Sequence, residues 1–273
     1  MPLRQSCNLS SQIGAPPVIL VDLMVNRLVL STVVLCALFP LTAASAASTP
    51  PSPPTASLAS VATLLSDAPV YAEPGDGKAV ATARADTSWT GSRAVLLVAA
   101  SKRDVSGRLW LKLMLPIRPN GSSGWILADH ARISTTSSRV EISLRARKLR
   151  LRVAGKIIFT TRVVIGKAAT PTPRGVFAIY ERAQSPRGSN VGPFALHLTA
   201  FSDVLQSYDG GPGRIAIHGR SGSLLADPLG SARSHGCVRL SNSALKLLSK
   251  YAGAGAPVTI ARGWPNQPGG ASR

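Results

Sequence analysis

The 273-residue chain carries 31 Lys and Arg against 12 Asp and Glu, a formal net charge of +19, so any long-range attraction is to polyanions. Aromatics make up only 5% of its residues, which argues against a base-stacking platform for nucleic acid. Anionic envelope polymers or lipid headgroups are the expected polyanionic partners, with a plainly solvated basic surface as the alternative.

From Leu28 to Leu38 the chain reads LVLSTVVLCAL, uncharged and too short for a membrane span. Arg27 precedes this run and the small-residue site Ala44-Ser45-Ala46 follows it. That is the build of a secretory signal peptide over residues 1–46, with Met24 as an alternative start. The expected localisation is therefore outside the cytoplasm. Cleavage would remove Cys7 and Cys36 and leave Cys237 as the only thiol. A lone cysteine in an exported protein is intermolecular or reactive.

Residues 47–60, including STPPSPPTAS, read as an extended Pro/Ser/Thr/Ala linker. Over 61–135 the short apolar runs PVYAEP, RAVLLVAA, LWLKLMLP and GWILAD alternate with Gly, Pro, Asp and Asn turns, which predicts a small all-β barrel. Trp110 and Trp125 are expected in its core, facing a ligand being the alternative. A second domain is expected over 139–262. Val140, Ile142 and Leu144 alternate with polar residues, as do Leu149, Leu151 and Val153, the period of strands with one buried face. IIFTTRVVIG, GVFAIYER, RIAIH and PVTIAR read as further strands, with many basic residues on exposed strand faces. Ser241 or Asn242 is a good N-cap for the helix NSALKLLSKYAG, which Gly253 should end. Residues 263–273 are a Gly/Pro-rich tail.

The chemistry gathers near the C-terminus. His130 reads as a surface residue and His197, in FALHLT, as a packed or pocket-wall residue. His218 and His235 each stand beside a glycine at a strand end or loop entry, where backbone can approach a substrate. A thiol attacks as its thiolate, an imidazole can take the proton, and a third group must fix that imidazole. Backbone amides of Gly236 and Cys237 could then stabilise an oxyanion. These parts make a cysteine acyltransferase. A zinc site from His218, His235 and Cys237 is the competing reading, disfavoured by the His-x-Cys spacing and the lack of a nearby carboxylate.

His218, followed after fifteen residues (the first of them Gly219) by Ser234-His235-Gly236-Cys237-Val238-Arg239, resembles the signature of the L,D-transpeptidase (YkuD-like) family. VVIGKAATPTPRGVFAI also resembles that family's G-x-x-x-x-x-T-P-x-G segment. The first domain, with W-x-K at Trp110 and G-W-I at Gly124, resembles bacterial SH3-like domains. The fold implied is mainly β: a small SH3-like barrel, then a YkuD-type β-sandwich with one or two helices. The resemblance makes Cys237 the nucleophile and His218 the base, oriented by the Gly219 carbonyl. His235 and Gly236 would shape the oxyanion region, with Ser234 also in the positioning set, and Arg239 would brace the site or meet a substrate carboxylate. Arg220, Tyr208 and His197 are candidate substrate contacts, and residues 181–203 a lid.

The activity implied is peptidoglycan L,D-transpeptidation in a bacterial envelope, periplasmic or in the extracytoplasmic wall, without metal or other cofactor. Its partners would be stem peptides, and carbapenems would acylate Cys237. Hydrolysis by the same residues as an L,D-carboxypeptidase, or non-enzymatic wall binding, are the alternatives.

Overall fold

The computed structural model describes residues 50–75 and 77–265, so the expected signal peptide and most of the 263–273 tail lie outside the described residues. The first half contributes β1 (Ala59–Leu64), β2 (Ala68–Val70), β3 (Ala81–Ala83), β4 (Val95–Arg103), β5 (Leu109–Met114), β6 (Ser123–Leu127) and β7 (Ala131–Thr136). Five of them form an antiparallel sheet in the order β6-β5-β4-β1-β7, while β2 and β3 pair separately. Leu64, Val98, Leu111, Leu113 and Ile126 fill its core. Trp110 and Trp125 are buried too, and Trp110 Nε1 donates to Asp104 at 2.9 Å.

The second half contributes β8 (Ser138–Ser143), β9 (Lys148–Val153), β10 (Lys156–Arg162), β11 (Ile165–Gly166), β12 (Gly175–Gln184), β13 (Phe194–Phe201), β14 (Arg214–His218), β15 (Ala232–Ser234), β16 (Val238–Arg239), α1 (Asn242–Tyr251) and β17 (Pro257–Ala261). Eight strands form one sheet in the order β10-β9-β8-β17-β12-β13-β14-β16, and β11 pairs with β15. The fold is mainly β with one α-helix among the described residues. That helix starts where Ser241 Oγ accepts from the Ala244 amide at 3.2 Å. It ends at an extended Ala252 rather than at Gly253, and it packs Leu245 and Leu248 into the core.

Alternation sets the sheet's two faces. Leu196 and Leu198 of β13, Ile215 and Ile217 of β14 and Val238 of β16 belong to the apolar core. The intervening His197, Ala216, His218 and Arg239 line a cavity. On β8 and β9 the single buried face expected from sequence is corrected. Glu141 is 4% exposed and Arg152 8%, joined by Arg152 Nε donating to Glu141 Oε1 at 2.9 Å. The Arg150 guanidinium stacks on Trp264 at 3.6 Å from the ring centroid. Glu141 and Arg152 are both buried on this second face, so the charges there must pair.

The two sheets belong to one compact unit and meet across side chains. Tyr180 of β12 packs into the core of the five-stranded sheet. Arg118 donates to the carbonyls of Ser202 (2.8 Å) and Leu205 (3.0 Å), and Asn120 bonds the Phe201 backbone through both its amide nitrogen (2.7 Å) and its oxygen (2.8 Å).

Candidate active site

Cys237 lies in the short link between β15 and β16, and two clamps hold that link. Ser234 Oγ accepts from the Gly236 amide at 3.1 Å and donates to the Cys237 carbonyl at 2.6 Å. Thr172 Oγ1 donates to the Gly236 carbonyl at 2.8 Å and accepts from the Gly166 amide at 2.9 Å. The T-P segment is thereby tied to the cysteine. Gly236 has φ +121°, and a Cβ there would lie 2.9 Å from Ile215, so both conformation and space call for glycine.

The sheet register brings His218 alongside. β14 and β16 run parallel with Ile217 opposite Val238 and His218 opposite Arg239, so Ala216 stands beside Cys237. Consistently, the Ala216 amide points at the Cys237 sulfur at 3.4 Å. His218, two residues along β14, projects from the same face as Ala216. Its Nδ1 is 2.8 Å from the Gly219 carbonyl. A carbonyl only accepts, so Nδ1 carries the proton and Nε2 is the nitrogen with a free lone pair.

Burial governs the charges. His218 is 4% exposed, and desolvation pulls its pKa from 6.5 down to about 4, against a smaller upward effect of the Gly219 hydrogen bond. Burial likewise pushes the Cys237 thiol up, partly offset by the Ala216 amide and the Arg239 charge. Both groups are therefore held neutral before substrate arrives. Arg239 is itself buried and bonded through Nη1 to Asp227 Oδ2 at 2.7 Å, while its buried Nε has no partner among the described residues.

His235 is placed differently. It is exposed, with Nε2 3.4 Å from Lys167 Nζ and Nδ1 3.2 Å from the Tyr208 hydroxyl. An ammonium only donates, so Nε2 accepts from Lys167 and Nδ1 carries the proton. Desolvation, followed by the charges of Lys167 and Arg239, lowers its pKa. The described residues contain no group of three His, Cys, Asp or Glu placed to hold a metal ion.

The cavity above Cys237 has a volume of about 650 Å³. Tyr208, His197, His235 and Arg239 are in its wall, and Arg220 is not. The Arg220 guanidinium donates instead to the Asp227 carbonyl, while its amide donates to Asn242 Oδ1 at 2.9 Å. Residues 181–203 are not one lid: much of that span is β12 and β13, and the cavity is bordered by the 185–193 loop and the 202–213 segment. The Gly236 amide, expected at an oxyanion, is already engaged by Ser234.

Two contributors escaped the sequence reading. Asp227, the partner of Arg239, lies in a loop with no motif around it. Trp89, from a turn of the first half, also lines the cavity. Nothing in its local sequence marks it out.

A family model described as YkuD, the L,D-transpeptidase catalytic domain, matches residues 137–260. A Bacillus licheniformis protein assigned as L,D-transpeptidase YkuD is 32% identical over 126 residues, covering 46% of this chain and 67% of its own. A Bacillus subtilis protein with the same assignment is 30% identical over 128 residues, covering 47% of this chain and 68% of its own. Among solved structures, the catalytic domain of an Enterococcus faecium L,D-transpeptidase acylated by ertapenem aligns at 22% identity with a TM-score of 0.34, covering 45% of this chain and 96% of that one.

Proposed function

The chain belongs to the L,D-transpeptidase YkuD family, and from that premise we propose that it forms 3→3 cross-links in peptidoglycan through a thioacyl intermediate on Cys237. The observation that carries the mechanism is the fixed tautomer of His218. With Nδ1–H held by the Gly219 carbonyl, only Nε2 can receive a proton on the cavity face shared with Cys237.

Because thiol and imidazole are both kept neutral, the proton moves as the sulfur attacks rather than beforehand. The Cys237 sulfur bonds to the carbonyl carbon of the third stem residue, and its proton passes to His218 Nε2. The tetrahedral oxyanion needs a donor, and with the Gly236 amide engaged, the Cys237 amide is the backbone candidate. The C–N bond then breaks and His218 returns the proton to the departing D-Ala amine. An acceptor amine attacks the thioester and gives its proton to His218, which passes it to the departing sulfur as the C–S bond breaks. The energy of the cleaved peptide bond is conserved in the thioester, so no nucleotide is consumed. His235, with its acceptor nitrogen turned to Lys167, positions the Tyr208 side of the cavity and is not the base. The proposed setting is the bacterial cell envelope outside the cytoplasm.

Incubating the full chain with disaccharide-tetrapeptide and reading products by mass spectrometry tests this. A 3→3 dimer is expected; tripeptide alone would make the protein a carboxypeptidase, and an unchanged donor would remove the enzymatic reading. In the same assay Cys237→Ala should lose the ertapenem adduct entirely. His218→Ala should slow acylation about 10²–10⁴-fold with recovery at high pH, where solvent deprotonates the thiol. Recovery with pH in His235→Ala but not in His218→Ala would reverse the assignment of the base.

A further inference from the structure

One row of residues crosses the sheet on its cavity face. Ala216 stands beside Cys237, His197 pairs with Ala216, and Glu181 pairs with His197. Adjacent strands lie about 4.8 Å apart, so His197 is roughly 10 Å from the column of the nucleophile. Ala216, with only a methyl side chain, leaves the floor between them low.

The link between β3 and β4 reaches over to the far end of this row. The turn after β3 closes through the Thr87 amide on the Ser92 carbonyl at 2.8 Å, with Gly91 at φ +63°. It is tied to the eight-stranded sheet where the Thr90 amide donates to Glu181 Oε2 at 3.0 Å. This places the Trp89 indole flat against His197, with centroids 4.6 Å apart and planes inclined by 27°. On another side it abuts Gly211, where a Cβ would lie 2.8 Å from the ring. Trp89 nevertheless stays 50% exposed at the cavity wall. A large apolar side chain held by His197 and Gly211 yet half open at the cavity is a docking shelf rather than core.

Resting on the L,D-transpeptidase reading, we infer that Trp89 is a specificity-determining residue lent to the active site by the N-terminal half, and that it stacks on the pyranose ring to which the donor stem is attached. The length of the donor supports this. An extended peptide advances about 3.3 Å per residue, so three residues back from the attacked carbonyl span roughly 10 Å. That distance ends where the stem joins its sugar. The sugar ring is the flat, C–H-rich surface available there, and an indole face with an uncharged imidazole beneath it suits such a surface. Burial keeps His197 in its neutral form, since desolvation lowers its pKa against the upward pull of Glu181.

The test compares the free tetrapeptide with the disaccharide-tetrapeptide as donors for the full-length protein. Wild type should show the lower KM with the sugar-linked donor, by roughly 3- to 10-fold, the size of one aromatic stacking contact. In Trp89→Ala that ratio should collapse to about one while kcat changes little, and Trp89→Phe should restore most of it. An unchanged ratio in Trp89→Ala, a fall in kcat with both donors, or an effect confined to the acceptor's KM would each overturn the assignment. Failure of the underlying reading looks different: wild type would convert neither donor, although ertapenem still acylated Cys237.

Discussion

His218 supplies a stability experiment that is independent of turnover. Its pKa is held at about 4 in the fold against an ordinary 6.5, because its ring is buried. Between those values the unfolded chain binds a proton that the folded chain refuses, so lowering pH through this window favours unfolding. At pH 7 the effect is nearly absent. At pH 4 the unfolded form is protonated at this site and the folded form about half protonated, which amounts to about 3 kcal/mol of lost stability. The slope of stability against pH includes every carboxylate, so a reference is needed. His218→Gln provides one, since it keeps a neutral polar side chain of similar reach that does not titrate. Urea unfolding at intervals from pH 7 to pH 4 should show wild-type stability converging on, or crossing below, that of His218→Gln by about 3 kcal/mol. Parallel pH dependences in the two proteins would mean that His218 titrates normally in the fold. The claim that burial excludes a proton from this ring would then be wrong.

The clamp behind Cys237 should be sensitive to one atom. Thr172→Val leaves the Gly166 amide and the Gly236 carbonyl without their hydroxyl partner, which should cost about 1–3 kcal/mol in urea unfolding and slow acylation by ertapenem, while Thr172→Ser keeps both properties near wild type. Asp227→Asn removes the charge opposite buried Arg239 and should destabilise the fold by about 3–5 kcal/mol; a loss below 1 kcal/mol would show that the pair is in effect solvated.

What could be read from sequence was whatever depends on neighbours along the chain. The S-H-G-C run carries its own explanation, because Ser234, Gly236 and Cys237 bond to one another over three residues and Gly236 needs its conformation. Gly166 and Thr172 were legible as a spaced pattern, and the structure gives its cause. A Cβ at Gly166 would lie 2.4 Å from the Thr170 carbonyl oxygen, so the T-P loop can fold back on the strand only over a glycine. Strand alternation was legible for the apolar residues alone. It does not distinguish a polar face open to water from one covered by other parts of the protein, and on β8 and β9 that face holds the buried pair of Glu141 and Arg152.

Trp89 marks the limit most clearly. Its turn links β3 to β4, far along the chain from Cys237, and its place at the cavity follows from a chain of contacts: Thr90 on Glu181, Glu181 beside His197, His197 beside Ala216, Ala216 beside Cys237. Each link is a register or a side-chain bond between segments distant in sequence, and one residue of slip in β12 or β13 would turn its member of the row to the opposite face of the sheet. Residues 48–273 form one compact unit, and its cavity is walled by residues from both halves of that stretch. A catalytic motif can be complete within one stretch of chain while the surface that selects its substrate is assembled from two.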